Sequence, residues 1–206
     1  MDNHITLYGA RTGNCLRAAV ALEEAGIAYS VRKIALRQGE HKEAAFLAIN
    51  PQGLLPALTV LSEGREQTLL TQSNAIMFYA AERASDPTLV GADLHARART
   101  WERFFFFLTE VISPSVAGFK LVGEGLTAGT RYFHRSIVAN LSLADSFVES
   151  SEYMAGHRFS LADIAAFTIT AAHKEKLDWS ELPNLSDWFN RVAARPAVQR
   201  GMSAFD

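Results

Sequence analysis

Asn50-Pro51-Gln52-Gly53-Leu54-Leu55-Pro56-Ala57-Leu58 sets the reading of the whole chain. Two prolines and a glycine close one element, and the apolar run Ala57-Leu58-Thr59-Val60-Leu61 opens another, which reads as a strand. Pro56 stands just before that run, where its missing N–H costs the sheet nothing. If the Leu55-Pro56 bond is cis, the Leu55 N–H and C=O face outward and can pair with an extended peptide as with an added strand. An ordinary trans proline at a strand start fits the same residues.

Upstream, Ile5-Thr6-Leu7-Tyr8 reads as a strand ended by Gly9. Thr12-Gly13-Asn14 supplies N-cap residues for a helix carrying Leu16, Ala19, Val20 and Ala21-Leu22, stopped by Gly26. Ile27 to Leu36 reads as a second strand, and 41–49 as a short helix or coil. Downstream, Ser62 to Glu66 reads as a turn and Thr68-Leu69-Leu70 as a fourth strand. Ser73 then caps a helix through Ile76, Phe78 and Tyr79 to about Arg83. The alternation predicts a parallel strand pair, and the close third and fourth strands predict an antiparallel hairpin.

The pattern changes after Arg83. Ser85-Asp86-Pro87 is a linker candidate, and helical periodicity covers 93–122, 128–151, 161–174 and 185–194, with a smaller helix after Pro196. Pro114 should break or kink the first of these. The expected organisation is an α/β domain over 1–83, a linker over 84–92 and an all-α helical bundle over 93–206. Phe104 to Phe107 are four successive phenylalanines, and at about 100° per residue they cover every face of a helix. At least two belong to a core; the others face an interdomain cleft or a partner subunit. Arg97, Arg99 and Arg103 read as a solvated stripe. Ser160 and Asp163 form a capping-box variant, with Phe159 as its staple.

Composition sets the outer bounds. The chain has 206 residues, 49% hydrophobic and 20% charged, with net charge −2, so no global field draws it to nucleic acid or an anionic membrane. Cys15 is the only cysteine, which rules out an intramolecular disulfide and a four-cysteine zinc site. No metal site is expected. The N-terminus lacks the pattern of a signal peptide, and apolar runs such as Phe104 to Leu108 are too short to span a bilayer. The expected compartment is the reducing cytoplasm.

Taken together, these segments resemble the N-terminal domain of glutathione transferases, a thioredoxin-like fold. That family writes N-P-x-G-x-V-P-A-L and E-S-x-A-I where this chain has Asn50 to Leu58 and Gln72-Ser73-Asn74-Ala75-Ile76. Leu7-Tyr8, Leu16-Arg17 and Leu22-Glu23-Glu24-Ala25-Gly26 fit as well, and Gly39-Glu40-His41-Lys42 resembles the glycine-end clamp of the plant phi class. The resemblance covers nearly the whole chain. It implies a cytosolic homodimer with glutathione as co-substrate and a small hydrophobic electrophile as the second substrate. By the same resemblance Leu55 holds the cysteinyl backbone with Pro56 cis, Gln72 and Ser73 bind the γ-glutamyl end, and His41 and Lys42 reach the glycyl carboxylate. Two departures stand out. Gln72 replaces the usual glutamate, and Leu54 stands where a hydrogen-bonding Gln or Lys is common; each lost bond is worth about 1 kcal/mol.

Glutathione chemistry needs a thiolate, and a thiol with a pKa of about 8.5 is mostly protonated at neutral pH. A helix N-terminus with side-chain donors favours the charged form. Thr12 lies five residues before Arg17, the spacing of the activating hydroxyl in serine-type transferases. Thr12-x-Asn14 also resembles the bacterial nu class, in which threonine and asparagine flank the sulfur. Thr12 and Asn14 are therefore the expected thiolate donors. Cys15, as in a beta-class mixed disulfide, and Tyr8, as in tyrosine-type classes, remain alternatives. So do two other functions on the same fold: glutathione-dependent reduction of disulfides or peroxides, and a binding or regulatory module without turnover.

Overall fold

The computed structural model describes residues 4–61, 67–85 and 89–206. The expected turn over 62–66 and part of the expected linker lie outside the described residues. The first elements are β1 (His4–Gly9), α1 (Gly13–Glu24), β2 (Ser30–Lys33), α2 (Ala44–Leu47), β3 (Ala57–Leu61), β4 (Thr68–Leu70) and α3 (Ser73–Arg83). Helices α4 (Leu94–Phe106), α5 (Ser113–Gly123), α6 (Thr127–Leu143), α7 (Leu161–His173), α8 (Pro183–Ala193) and α9 (Pro196–Met202) follow. The chain forms two compact units, Met1–Asp86 with Arg195–Asp206, and Pro87–Ala194.

In the first unit the strand order is β2-β1-β3-β4. The β1–β2 pair is parallel and the other two pairs are antiparallel, the mixed four-stranded sheet of a thioredoxin-like fold. Strand alternation puts Ile5 and Leu7 on the face buried with Ala18, Leu22, Ile76 and Met77. Tyr8 faces the other way, into a cluster of Ile34, Phe46 and Ala57 joined by Leu55. β2 is shorter than the expected 27–36, because it pairs with β1 alone and β1 ends at Gly9, opposite Lys33.

Residues 195–206 group with this unit, although helical periodicity alone placed them with the preceding helices. A side chain on Gly201 would come within 2.6 Å of the Val20 backbone, so α9 lies directly on α1. Arg195 grips Glu24 through two bonds of 2.7 Å, and Arg200 Nε donates to Glu23 Oε2 at 2.6 Å.

In the second unit Pro114 does not break the first helix. The wider turns of Phe107–Ile112 join α4 to α5 in one run of 30 residues, Leu94–Gly123. Proline cannot donate to the carbonyl four residues back, and its ring crowds that carbonyl. The widened segment relieves the clash, and Asn140 Nδ2 donates to the Glu110 carbonyl at 3.1 Å. The run is also longer than the apolar stretches visible in the sequence. With mean hydropathy 1.4 over its most apolar window, it could cross a membrane on length and composition alone. Its Thr100, Phe104, Phe107 and Val111 are buried and α4 packs on α7, while 22% of that apolar window is buried in all.

Phe104 and Phe107 are in the core, Phe105 is exposed, and Phe106 meets the Phe147 ring edge-on. Arg103 leaves the expected solvated stripe: its guanidinium lies 3.7 Å from the centre of the Phe147 ring, a cation–π contact. Arg99 stays exposed, paired with Glu102. The capping box forms at α7, where Asp163 accepts from Ser160 N and Oγ, Met154 N and Trp188 Nε1.

Candidate functional site

Register decides where the candidate residues meet. Tyr8 pairs with Ala57, Gly9 with Lys33, and Leu58 with Leu70. The loops that leave β1 and β2, enter β3 and leave β4 therefore share one end of the sheet. Residues 10–14, 34–42, 50–56 and 71–73 all emerge there, which is where open α/β sheets hold ligands.

The 50–56 loop is built by Asn50. Its side chain is buried, donates to the Leu54 carbonyl at 2.8 Å and accepts from Gln52 N at 3.2 Å. Gly53 sits at φ 58°, and a Cβ there would lie 2.7 Å from the His41 carbonyl, so the turn presses on the Glu40–Lys42 turn. Lys42 Nζ donates to the Gln52 carbonyl at 3.2 Å, which ties the two loops together. His41 Nδ1 is buried without a hydrogen-bond partner. The Leu55-Pro56 bond is cis. Among the described residues, the Leu55 N–H and C=O pair with no other backbone group.

At α3 the expected cap shifts by one residue. Gln72 occupies the N-cap position without a side-chain cap bond, and Ser73 is the first helical residue. Ser73 is buried, and its hydroxyl lies 3.5 Å from Arg17 Nη1. The first turn of α3 holds no acidic residue. Its leading N–H groups and positive dipole end can therefore accept an anion.

At α1 Thr12 is the N-cap, with φ −126° and ψ 152°. Its hydroxyl accepts from Cys15 N at 3.4 Å and donates to Cys15 Sγ at 3.1 Å. Cys15 is fully buried, and burial pushes its thiol up, opposed by the Thr12 bond, the Ala10 backbone and the Arg17 charge. It is a neutral thiol inside the first turn. Asn14 is half-buried, and its Oδ1 accepts from Arg17 Nη1 at 3.0 Å. Burial pulls Arg17 down to about 10, which leaves it cationic at neutral pH. Tyr8 packs edge-on against Phe46 and belongs to the apolar cluster behind the loops.

Two groups of residues thus form: Asn14 and Ser73 around Arg17, with Thr12 beside them at the α1 start bonded to Cys15, and His41 and Lys42 against the loop that leads to Leu55-Pro56. Arg17 and Asn50 were not readable as participants in the sequence. Arg17 served there only as a spacing mark, and Asn50 only as a letter of the motif. A cavity of about 500 Å³ beside Glu23, Tyr29 and Arg200 lies at the other end of α1, away from these residues. Among the described residues, no cluster of His, Cys, Asp and Glu could hold a metal ion.

An extended ligand with anionic groups fits this arrangement, and comparisons with known proteins point the same way. The family "Glutathione S-transferase, N-terminal domain" matches residues 3–82, and "Glutathione S-transferase, C-terminal domain" matches 138–196. Glutathione S-transferase 3 of Zea mays is 30% identical over 215 residues, covering 97% of this chain and 94% of that protein. The disulfide-bond oxidoreductase YfcG of Escherichia coli K12 is 27% identical over 205 residues, covering 96% and 94%. A crystal structure of a glutathione S-transferase from Pseudomonas fluorescens Pf-5 has TM-score 0.76 and 28% identity, covering 94% and 96%. Domain matches on both sides of the sequence, with a relative alike almost end to end, show that this chain belongs to the glutathione S-transferase family.

Proposed function

We propose that this chain is a glutathione transferase that activates the glutathione thiolate for attack on a hydrophobic electrophile. Glutathione is the co-substrate. The observation that carries the reading is the pair of helix starts at one end of the sheet, each with side-chain donors and neither with an acid in its first turn. Glutathione has an anion for each: the thiolate at α1 and the γ-glutamyl carboxylate at α3. Leu55 pairs with the cysteinyl backbone beside Pro56, Gln72 and Ser73 take the γ-glutamyl end, and His41 and Lys42 take the glycyl carboxylate.

Thr12 and Asn14 stabilise the thiolate. Without ligand the Thr12 hydroxyl donates to a neutral sulfur, Cys15 Sγ. A thiolate is the stronger acceptor, so the hydroxyl turns to it when glutathione binds. One unit of thiol pKa depression requires about 1.4 kcal/mol, within reach of one charge-assisted bond at a helix start. The thiolate then donates its electron pair to the electrophilic carbon, and the leaving group departs with its own pair. Calorimetric titration with glutathione, followed by conjugation of a chlorinated aromatic, tests the reading. Glutathione binding without conjugation would overturn the transferase assignment.

A second reading, glutathione-dependent reduction of disulfides or peroxides, is favoured by the Thr12-x-Asn14 spacing and by similarity to YfcG. Faster turnover of a glutathione mixed disulfide than of the chlorinated aromatic would select it. Homodimer formation is supported by the exposed stripe Leu94, Trp101 and Phe105 along one side of α4. Sedimentation at low concentration tests it, and a monomer at micromolar concentration would refute it. A cytoplasmic setting fits the single reduced cysteine.

A further inference from the structure

Arg17 has only 1% of its surface exposed, an unusual place for a charge on the inward side of a helix. A guanidinium carries five N–H donors and no acceptor. Its Nη1 donates to Asn14 Oδ1 at 3.0 Å and reaches Ser73 Oγ at 3.5 Å. Those two side chains stand at the starts of α1 and α3.

The donor-only character of Arg17 has a directional result. An asparagine amide can present either its oxygen or its NH2 group to a neighbour. Facing a group that can only donate, Asn14 must give its oxygen to Arg17, and its NH2 is turned elsewhere. Ser73 likewise meets Arg17 with an oxygen lone pair, which leaves the hydroxyl hydrogen to donate to another acceptor. An anionic ligand needs donors at both places.

We propose that Arg17 is a positioning residue that sets the hydrogen-bond polarity of the glutathione site, turning Asn14 into a donor toward the sulfur and Ser73 into a donor toward the γ-glutamyl carboxylate. The inference rests on the glutathione reading and adds a cause for it. One buried cation links the two ends of the ligand from behind, and its charge favours an anion at each. Thr12 acts independently of this link, because its bonds run to Cys15.

The test compares Asn14→Asp with Asn14→Ala. A carboxylate at this position pairs with Arg17 but has no N–H to offer, so its second oxygen faces the thiolate. The pKa of enzyme-bound glutathione, followed by thiolate ultraviolet absorbance against pH, should rise further in Asn14→Asp than in Asn14→Ala. The value of kcat/KM should be lower in the Asp variant by about tenfold, the equivalent of one pKa unit. Equal values in the two variants, or a better Asp variant, would overturn the proposal.

Arg17→Gln and Arg17→Lys supply a second arm. Glutamine can accept as well as donate, so Arg17→Gln should raise both the bound-thiol pKa and KM for glutathione. Arg17→Lys, again a donor-only cation, should restore the thiol pKa at least in part. A purely structural Arg17 would lower stability in both variants and leave the bound-thiol pKa where it was. The Asn14 pair carries the test if Arg17→Gln does not fold. Wild-type protein that binds no glutathione would sink the functional reading; wild-type binding with indistinguishable Asn14 variants would sink this inference alone.

Discussion

The starts of α1 and α7 put one kind of chemistry to two uses. Each begins with a hydroxyl residue in extended backbone, Thr12 at φ −126° and Ser160 at φ −147°. At α7 the donors are consumed. Asp163 is fully buried and takes bonds from Ser160, Met154 and Trp188, so the helix start is sealed into the core. At α1 the first turn has no acid, Thr12 and Asn14 are half-buried, and a cation lies behind Asn14. An internal carboxylate makes a helix start part of the fold. Its absence, with a cation behind, leaves the start ready for a carboxylate or thiolate from outside.

The comparison is most easily broken at α7. Asp163→Ala removes the acceptor of four buried donors and should cost about 3 kcal/mol or more, seen as a lower urea midpoint. An unchanged midpoint would mean that the box does not hold the fold. The same carboxyl gives a pH signature. Burial pushes it from 3.8 up to about 6, against the pull of its hydrogen bonds. Between those values the unfolded chain has released the proton and the folded chain still holds it. The stability contributed by this group is therefore fully present below about pH 4 and is lost as pH rises through about 6. Urea midpoints of wild type and Asp163→Asn across that range check the sign, and a wild-type advantage that grows with pH would contradict it.

At α1 the expected effect is on chemistry rather than folding. Thr12→Val should reduce conjugation by about tenfold, a loss of one bond to the thiolate, with a smaller change in glutathione binding. Unchanged turnover would remove Thr12 from the mechanism. Cys15→Ala should have the smallest effect: most activity kept and about 1 kcal/mol of stability lost through a small cavity. An inactive variant would move the chemistry to a mixed disulfide on Cys15.

Much of this contrast was legible in the sequence. Ser160 and Asp163 stand three apart ahead of an apolar run, and that spacing alone predicts the box. The strand and helix order was equally legible, because period and punctuation agree around Gly9, Gly26 and Gly53. The direction of hydrogen bonds was not. Ser73 read as an N-cap, and a shift of one residue at the helix boundary handed its hydroxyl to Arg17 instead. Arg17 itself served only as a spacing mark, since burial of an arginine depends on a partner 56 residues away in the chain. Pro114 read as a break or kink because local rules do not foresee a widened turn and an amide from Asn140 on another helix. Arg103 read as solvated because its partner, the Phe147 ring, is likewise distant in sequence.

The clasp of α9 on α1 has a consequence for how the protein is made. Val20, Glu23 and Glu24 leave the ribosome well before Arg195, Arg200 and Gly201, which cover them from 171 to 177 residues further along the chain in the two ion pairs. During synthesis one side of α1 therefore waits uncovered until α9 has been made. The first unit can assemble its sheet early, but it reaches its finished form only after the helices of the second unit have been synthesised.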